Sequence, residues 1–311
     1  MRVVFMGSSE LACRCLESLL RLAKTGATEV AAAVTQPDRP SGRGRQIVSC
    51  PARRAAEVAG VPVWTPPDVN APDAVERLAE LRPDVIAVAA YGQLLKAPLL
   101  ALPPLGCVNV HASLLPRYRG AAPIQWAIAR GETESGATTQ YMARRMDAGD
   151  IILQRAEPVR PDDTAASLHD RLAAVGADLL AETLQRIRNG DAPRRPQTEA
   201  EATYAPKLGR DDGRLDWTMP ARDLANRVRG FFPWPGCFCE TPSRLKVLEA
   251  RAEPGEGEPG FILETGPAGP LVAAGAGALR LVVVQPEGKR AMAGAEYARG
   301  HRVRIGDRMG E

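Results

Sequence analysis

Three short, almost wholly apolar runs constrain this chain more than any other feature: Arg2–Met6 (RVVFM), Glu29–Val34 (EVAAAV) and Asp84–Ala90 (DVIAVAA). None alternates polar with apolar residues, so none suits a strand with one wet face. Runs of this kind fit strands of a parallel sheet covered on both sides. After the first run, Leu11, Cys15, Leu16, Leu19 and Leu20 recur at helical spacing. Pro51–Gly60, with Pro in its first turn, and Ala74–Leu81 are also predicted helices. Alternating strands and helices predict an α/β fold with a doubly wound, mainly parallel sheet. Gly7-Ser8-Ser9 closes the first strand where a helix start favours anions. It lacks both the GxGxxG and the GxxxxGK fingerprint, so a nucleotide-phosphate site there has little support.

Composition excludes several classes. At 311 residues the chain suits two domains or one large one, and 45% hydrophobic with 25% charged residues is ordinary for a globular protein. No run of about 18 apolar residues is present, and the N-terminal MRVVFMG reads as a first strand rather than a leader. The six cysteines (13, 15, 50, 107, 237, 239) form no CxxC pair, and Cys13-x-Cys15 and Cys237-x-Cys239 lack nearby His partners. They predict free thiols in a reducing cytoplasm and no zinc site. The net charge is only +3, and residues 211–311 hold fourteen Lys and Arg against fourteen Asp and Glu. A nucleic-acid partner would have to use local basic clusters.

The chemistry-bearing stretch is Cys107–Ile128, CVNVHASLLPRYRGAAPIQWAI. A short strand, Gly106–Val108, leads into Asn109 and His111. Residues i and i+2 of extended chain share a face, so this pair projects together from a strand end. Strand ends that open into loops are where α/β sheets place ligands. The loop re-enters a helix near Ala122. Strand-like runs Ala137–Met142 and Ile151–Val159 flank Met146–Asp150, which predicts a hairpin bringing Asp147 beside the central strand. A carboxylate there would orient an imidazole and stabilise its protonated form.

Elsewhere, Thr35–Arg45 is long for a strand–helix loop, and Asp38–Arg54 carries five arginines against one aspartate. Such a loop suits phosphate contacts. Thr164–Asn189 is a long helix closed by Gly190. Residues 191–213, with three prolines and few large apolar side chains, read as a linker. A helix over Pro220–Gly230 and short strands at Cys237–Glu240, Leu245–Ala250, Gly260–Leu263, Leu271–Ala273 and Leu279–Val284 predict a small β-barrel. Gly288–Arg290 and Arg299–Arg304 are its basic clusters.

VNVHASLLPRYRGAAPIQWAI followed by MDAGD, with VTQPDRPSGRGR, AYGQLL, NRVRGFFPWPG and VVQPEGKRAM, resembles the formyltransferases that use N10-formyltetrahydrofolate. The early loop and the C-terminal blocks point to their tRNA-directed members. The resemblance implies a Rossmann-like formyltransferase domain over residues 1–190, a linker over 191–213, and a smaller OB-like β-barrel over 214–311 that helps hold tRNA. It implies 10-formyltetrahydrofolate as co-substrate and initiator methionyl-tRNA as acceptor, with a small amine (glycinamide ribonucleotide or an amino-sugar nucleotide) as the alternative. Asn109, His111 and Asp147 are its implied catalytic residues. Tyr91, Gly92, Ser113, Leu114, Leu115 and Pro116 are its implied folate contacts. Arg39, Arg43, Arg45, Lys207, Lys289 and Arg290 are its implied tRNA contacts, Arg43 matching the family's key arginine. The family's lysines after Gly44 are Arg45 and Gln46 here, one charge fewer. No metal, membrane or protein partner is implied, and the chain is expected to be a monomer.

Overall fold

The computed structural model describes residues 1–41, 46–241 and 243–310. The chain divides into two compact units. The first holds Met1–Gly120, Glu134–Pro158 and His169–Tyr204; the second holds Ala121–Thr133, Val159–Leu168 and the chain from Ala205 onward.

In order, the chain forms β1 (Arg2–Gly7), α1 (Glu10–Ala23), β2 (Glu29–Val34), β3 (Arg39–Ser41), β4 (Gln46–Val48), α2 (Pro51–Val58), β5 (Val63–Trp64), α3 (Pro72–Glu80), β6 (Val85–Ala89), α4 (Ala97–Leu100), β7 (Cys107–His111), β8 (Arg119–Gly120) and α5 (Pro123–Ala129). It continues through β9 (Glu134–Tyr141), β10 (Ile151–Pro158), α6 (Ala165–Asn189), β11 (Tyr204–Ala205), α7 (Ala221–Gly230), β12 (Cys237–Thr241), β13 (Ser243–Glu253), β14 (Ile262–Glu264), β15 (Leu271–Ala273), β16 (Ala278–Pro286), β17 (Met292–Ala293) and α8 (Gly294–Gly300).

The first unit is built on a seven-stranded sheet in the order β10-β9-β7-β6-β1-β2-β5. From β5 to β7 every pairing is parallel. β9 and β10 add an antiparallel edge. The expected doubly wound, mainly parallel α/β fold is therefore present. Val3 to Met6 of β1 and Val85 to Ala87 of β6 have no exposed surface, as a sheet covered on both faces requires. The chain winds outward from β1 to β5 and then returns to lay β6 beside β1. The carboxyl ends of β1, β6 and β7 lie around that reversal, where open α/β sheets take ligands. Gly7 ends β1 because a Cβ there would stand 2.6 Å from both the Ala89 carbonyl and Ala12 Cβ.

Two sequence readings change. The arginine-rich stretch expected as loop contains a two-stranded hairpin, β3 on β4, with Arg39 opposite Val48. Arg43 and Arg45 lie outside the described residues. The segment expected as a linker, 191–213, is divided between the units at Tyr204, and its first half pairs with β10 through reciprocal backbone hydrogen bonds between Arg195 and Ile151. Proline and polarity mimic a linker there because that half is held by backbone and side-chain hydrogen bonds rather than by apolar burial.

The second unit carries an antiparallel sheet in the order β12-β13-β16-β15-β14, with β17 on β16. Its inward faces close on one core that includes Leu245, Val247, Ile262, Val272, Leu279 and Leu281. Leu224, Val228 and Phe231 from α7 and its end complete this core. This is the β-barrel-like domain that the short strands predict. Phe231 is fully buried and meets Trp126 of α5 edge to face, centroids 5.4 Å apart. The cavity left by Phe231→Ala is expected to cost about 3–5 kcal/mol, read by chemical denaturation followed through Trp fluorescence.

Tyr91, just after β6, is 2% exposed, in a core with Val4, Met6, Val88 and Leu95. Burial, and secondarily the charge of Asp68, holds its hydroxyl well above the ordinary 10.0. The neutral ring is favoured in the folded state, so this contribution to stability is intact below pH 10.0 and is lost as pH rises above it. Alkaline melts of Tyr91→Phe should therefore decline less steeply above that pH than the parent chain.

Candidate active site

The site grows from β7. Its ladder with β9 pairs Asn109 with Gln140 and His111 with Thr138. Val110, between them, faces the other way, where Gly176 of α6 leaves room for its methyl group. Asn109 and His111 thus share the opposite face, as the i, i+2 spacing requires. Both lie inside the strand, which runs on to His111 rather than ending at Val108.

His111 is 6% exposed, and its Nε2 lies 2.9 Å from the Tyr118 carbonyl. A carbonyl can only accept, so Nε2 carries hydrogen and donates it. The ring nitrogen left for proton exchange is Nδ1, which faces Asp147 Oδ2 at 3.7 Å. That separation is too long for a direct hydrogen bond and short enough for an ion pair once the ring is protonated.

Asp147 sits in a tight turn between β9 and β10, at φ 51°. The turn is closed by Gly149, where a Cβ would stand 1.7 Å from the Tyr141 carbonyl oxygen. The carboxylate is tied down twice: Gly120 N–H donates to Oδ2 at 2.9 Å and Gln140 Nε2 donates to Oδ1 at 3.1 Å. Gln197 supports the turn from beneath, donating to the carbonyls of Asp147 (2.9 Å) and Gly149 (2.7 Å). Its own oxygen accepts from Arg119, whose side chain is 2% exposed and also reaches Glu199 at 2.9 Å. Hydrogen bonds from Arg119 first, then from Arg145, hold the Glu199 carboxyl below its ordinary value.

Asn109, Gln140, Arg144 and Asp147 are the polar lining of a small pocket. Leu94, Leu95, Met142 and Met146 are apolar lining, with Leu94 and Met146 exposed at 63% and 51%. Large exposed apolar side chains around convergent polar groups suit a flat heterocycle with hydrogen-bonding edges. The sequence reading missed these four residues and Gln140. Leu94 and Leu95 follow the Tyr91-Gly92 pair after one residue, Gln93, so their position was within reach.

The other expected residues are placed as follows. Tyr91 puts its ring in the core, and Gly92 takes φ 89°. Ser113 Oγ donates to the Arg117 carbonyl, and Leu115 N–H donates to Thr138 Oγ1. Leu115 is buried, and Leu114 packs against the space left by Gly136 of β9. Pro116 follows a cis peptide and accepts from Thr203 N–H. None of these loop residues lines that pocket. Arg39 lies in β3. Lys207, Lys289 and Arg290 are exposed in the second unit, where Arg299, Arg302 and Arg304 also line one open groove with Thr265.

Residues 1–184 match the model of the formyl transferase family, and residues 207–302 match that of the formyl transferase C-terminal domain. The methionyl-tRNA formyltransferase of Citrifermentans bemidjiense is 43% identical, over 100% of this chain and 97% of its own. That of Moorella thermoacetica is 45% identical, over 100% and 99%. Among solved structures, the sugar 3N-formyl transferase WlaRD, crystallised in the presence of dTDP and 5-N-formyl-THF, superposes with a TM-score of 0.68 at 17% identity, covering 93% of this chain and 99% of that one. With family models matching both parts of the sequence and relatives alike from end to end, the chain belongs to the methionyl-tRNA formyltransferase family.

Proposed function

We propose that this chain transfers the formyl group of 10-formyltetrahydrofolate to the α-amine of initiator methionyl-tRNA, with Asn109, His111 and Asp147 as its catalytic residues. The observation that carries the reading is the His111 imidazole, with Nε2–H committed to a carbonyl and Nδ1 turned to the Asp147 carboxylate. The small pocket beside them joins Leu94, Leu95, Met142 and Met146 to Asn109, Gln140, Arg144 and Asp147, the mixture of apolar surface and hydrogen-bonding groups that the pteridine end of the folate would use. Its formyl carbon would then lie near Asn109.

The amine nitrogen attacks the formyl carbon, and the carbonyl oxygen takes up negative charge. The Asn109 carboxamide N–H donates to that oxygen, and the protonated His111 ring, paired with Asp147 through Nδ1, places positive charge beside it. Asp147 stabilises the imidazolium and takes the proton that the amine sheds. The bond from carbon to N10 breaks, N10 takes up the proton that Asp147 received from the amine, and a formamide remains on the methionine. Gly120 N–H and Gln140 keep the carboxylate aimed while this charge moves.

For the tRNA, the reading assigns Arg39, Arg43 and Arg45 to the acceptor end, and Lys207, Lys289 and Arg290 to the backbone. The groove bearing Arg299, Arg302 and Arg304 adds a further phosphate-facing surface on the second unit. In this reading residues 1–190 form the catalytic domain and 214–311 a domain that helps hold the tRNA, with Lys207 in the segment between them. We assign the cytoplasm as compartment, since all six cysteines are free thiols, and no helix among the described residues is long and apolar enough to cross a membrane.

Loss of one oxyanion donor typically costs about 10²–10³ in rate, and losses of that order are expected in kcat for Asn109→Ala and for His111→Ala. Formyl transfer should be measured with charged initiator tRNA, glycinamide ribonucleotide and an amino-sugar nucleotide side by side. Transfer to Met-tRNA that drops in Arg43→Ala while folate binding persists is the expected result. Transfer to a small amine alone would overturn the tRNA assignment, and near-parental kcat in either site variant would overturn the catalytic one.

A further inference from the structure

Resting on that reading of Asp147, we infer that Gln197 is a positioning residue for catalysis, the link through which buried Arg119 fixes the Asp147 carboxylate. The hydrogen-bond directions are forced. A guanidinium can only donate, so the Gln197 oxygen must face Arg119 Nε (3.1 Å) and Nη2 (2.9 Å). The Gln197 amide nitrogen, with two hydrogens, is thereby turned to the Gly149 carbonyl at 2.7 Å and the Asp147 carbonyl at 2.9 Å, and shares one of those hydrogens with Gln140 Oε1 at 3.2 Å. With its oxygen occupied, Gln140 must present its own nitrogen to Asp147 Oδ1 at 3.1 Å. Donors therefore run one way, from Arg119 through Gln197 and Gln140, and end on the carboxylate. A chain of this kind polarises each member in the same sense.

The anchor is rigid. Arg119 is 2% exposed and Gln140 1%, and Arg119 is neutralised by Glu199, two residues beyond Gln197. The supported element needs holding, because Asp147 occupies a left-handed conformation that costs a non-glycine residue about 1–3 kcal/mol. Gln197 lies in the stretch whose composition reads as linker, so the segment after α6 helps to build the active site rather than merely leaving it.

Gln197→Glu separates this role from a structural one. It keeps, and strengthens, the bond to Arg119. It cannot donate to Gln140 or to the turn carbonyls. The expected result for the full-length enzyme is a kcat lower by about 10²-fold, as a misplacement near 1 Å brings, with KM for the formyl donor within about twofold. Gln197→Ala should lose at least as much kcat; should it fail to fold, the Glu variant still decides. In an Asp147→Asn background, Gln197→Glu should lower kcat by less than about twofold further, since residues acting through one group are not additive. Parental kcat in Gln197→Glu, or losses that multiply in the double variant, overturn the inference. Parental kcat in Asp147→Asn alone would instead remove the role of Asp147, and the inference with it.

Discussion

The reversal of β9 against β7 is the constraint on which the site depends. A parallel neighbour would have required a long crossover and would have carried the following turn to the far edge of the sheet. The antiparallel ladder sets Gln140 opposite Asn109 and returns the chain at once, so that Asp147 arrives 3.7 Å from the ring of His111. The rest of the sheet is the parallel scaffold that holds β7 steady beneath this pair.

A second constraint follows from burying a charge. Arg119 sits just before the turn that supplies Gly120 N–H to Asp147, and its guanidinium has almost no contact with solvent. Losing a partner of a buried charge costs about 3–5 kcal/mol, so Arg119 demands acceptors. Gln197 and Glu199 are those acceptors. Meeting that demand pins residues 195–199 against the turn that carries Asp147. One guanidinium thereby ties the packing of this segment to the placement of that carboxylate.

The strand and helix pattern was largely legible in the sequence. β2 and β15 run over the expected residues, and β1, β6, α6 and α7 differ by a residue or two, because burial on both faces or on one helical stripe leaves a periodic signature. The region around the early arginines was less legible. Nothing in Arg39–Ser41 or Gln46–Val48 alternates strongly, and a hairpin of three-residue strands is decided by its pairing. β17 and α8 likewise went unread, being too short to carry a period.

The sequence by itself determined that Asn109 and His111 share a face, because a strand's period of two is fixed by backbone geometry. It also determined that a carboxylate follows in a turn between two strands, and that the first part of the chain builds a sheet buried on both sides. Only the tertiary structure decided which imidazole nitrogen faces that carboxylate, that Leu94 and Met146 rim the pocket, and that Gln197 reaches Asp147 across fifty residues of chain. These last depend on distances between elements remote in sequence, and on each donor finding an acceptor once water is excluded. No local pattern records either.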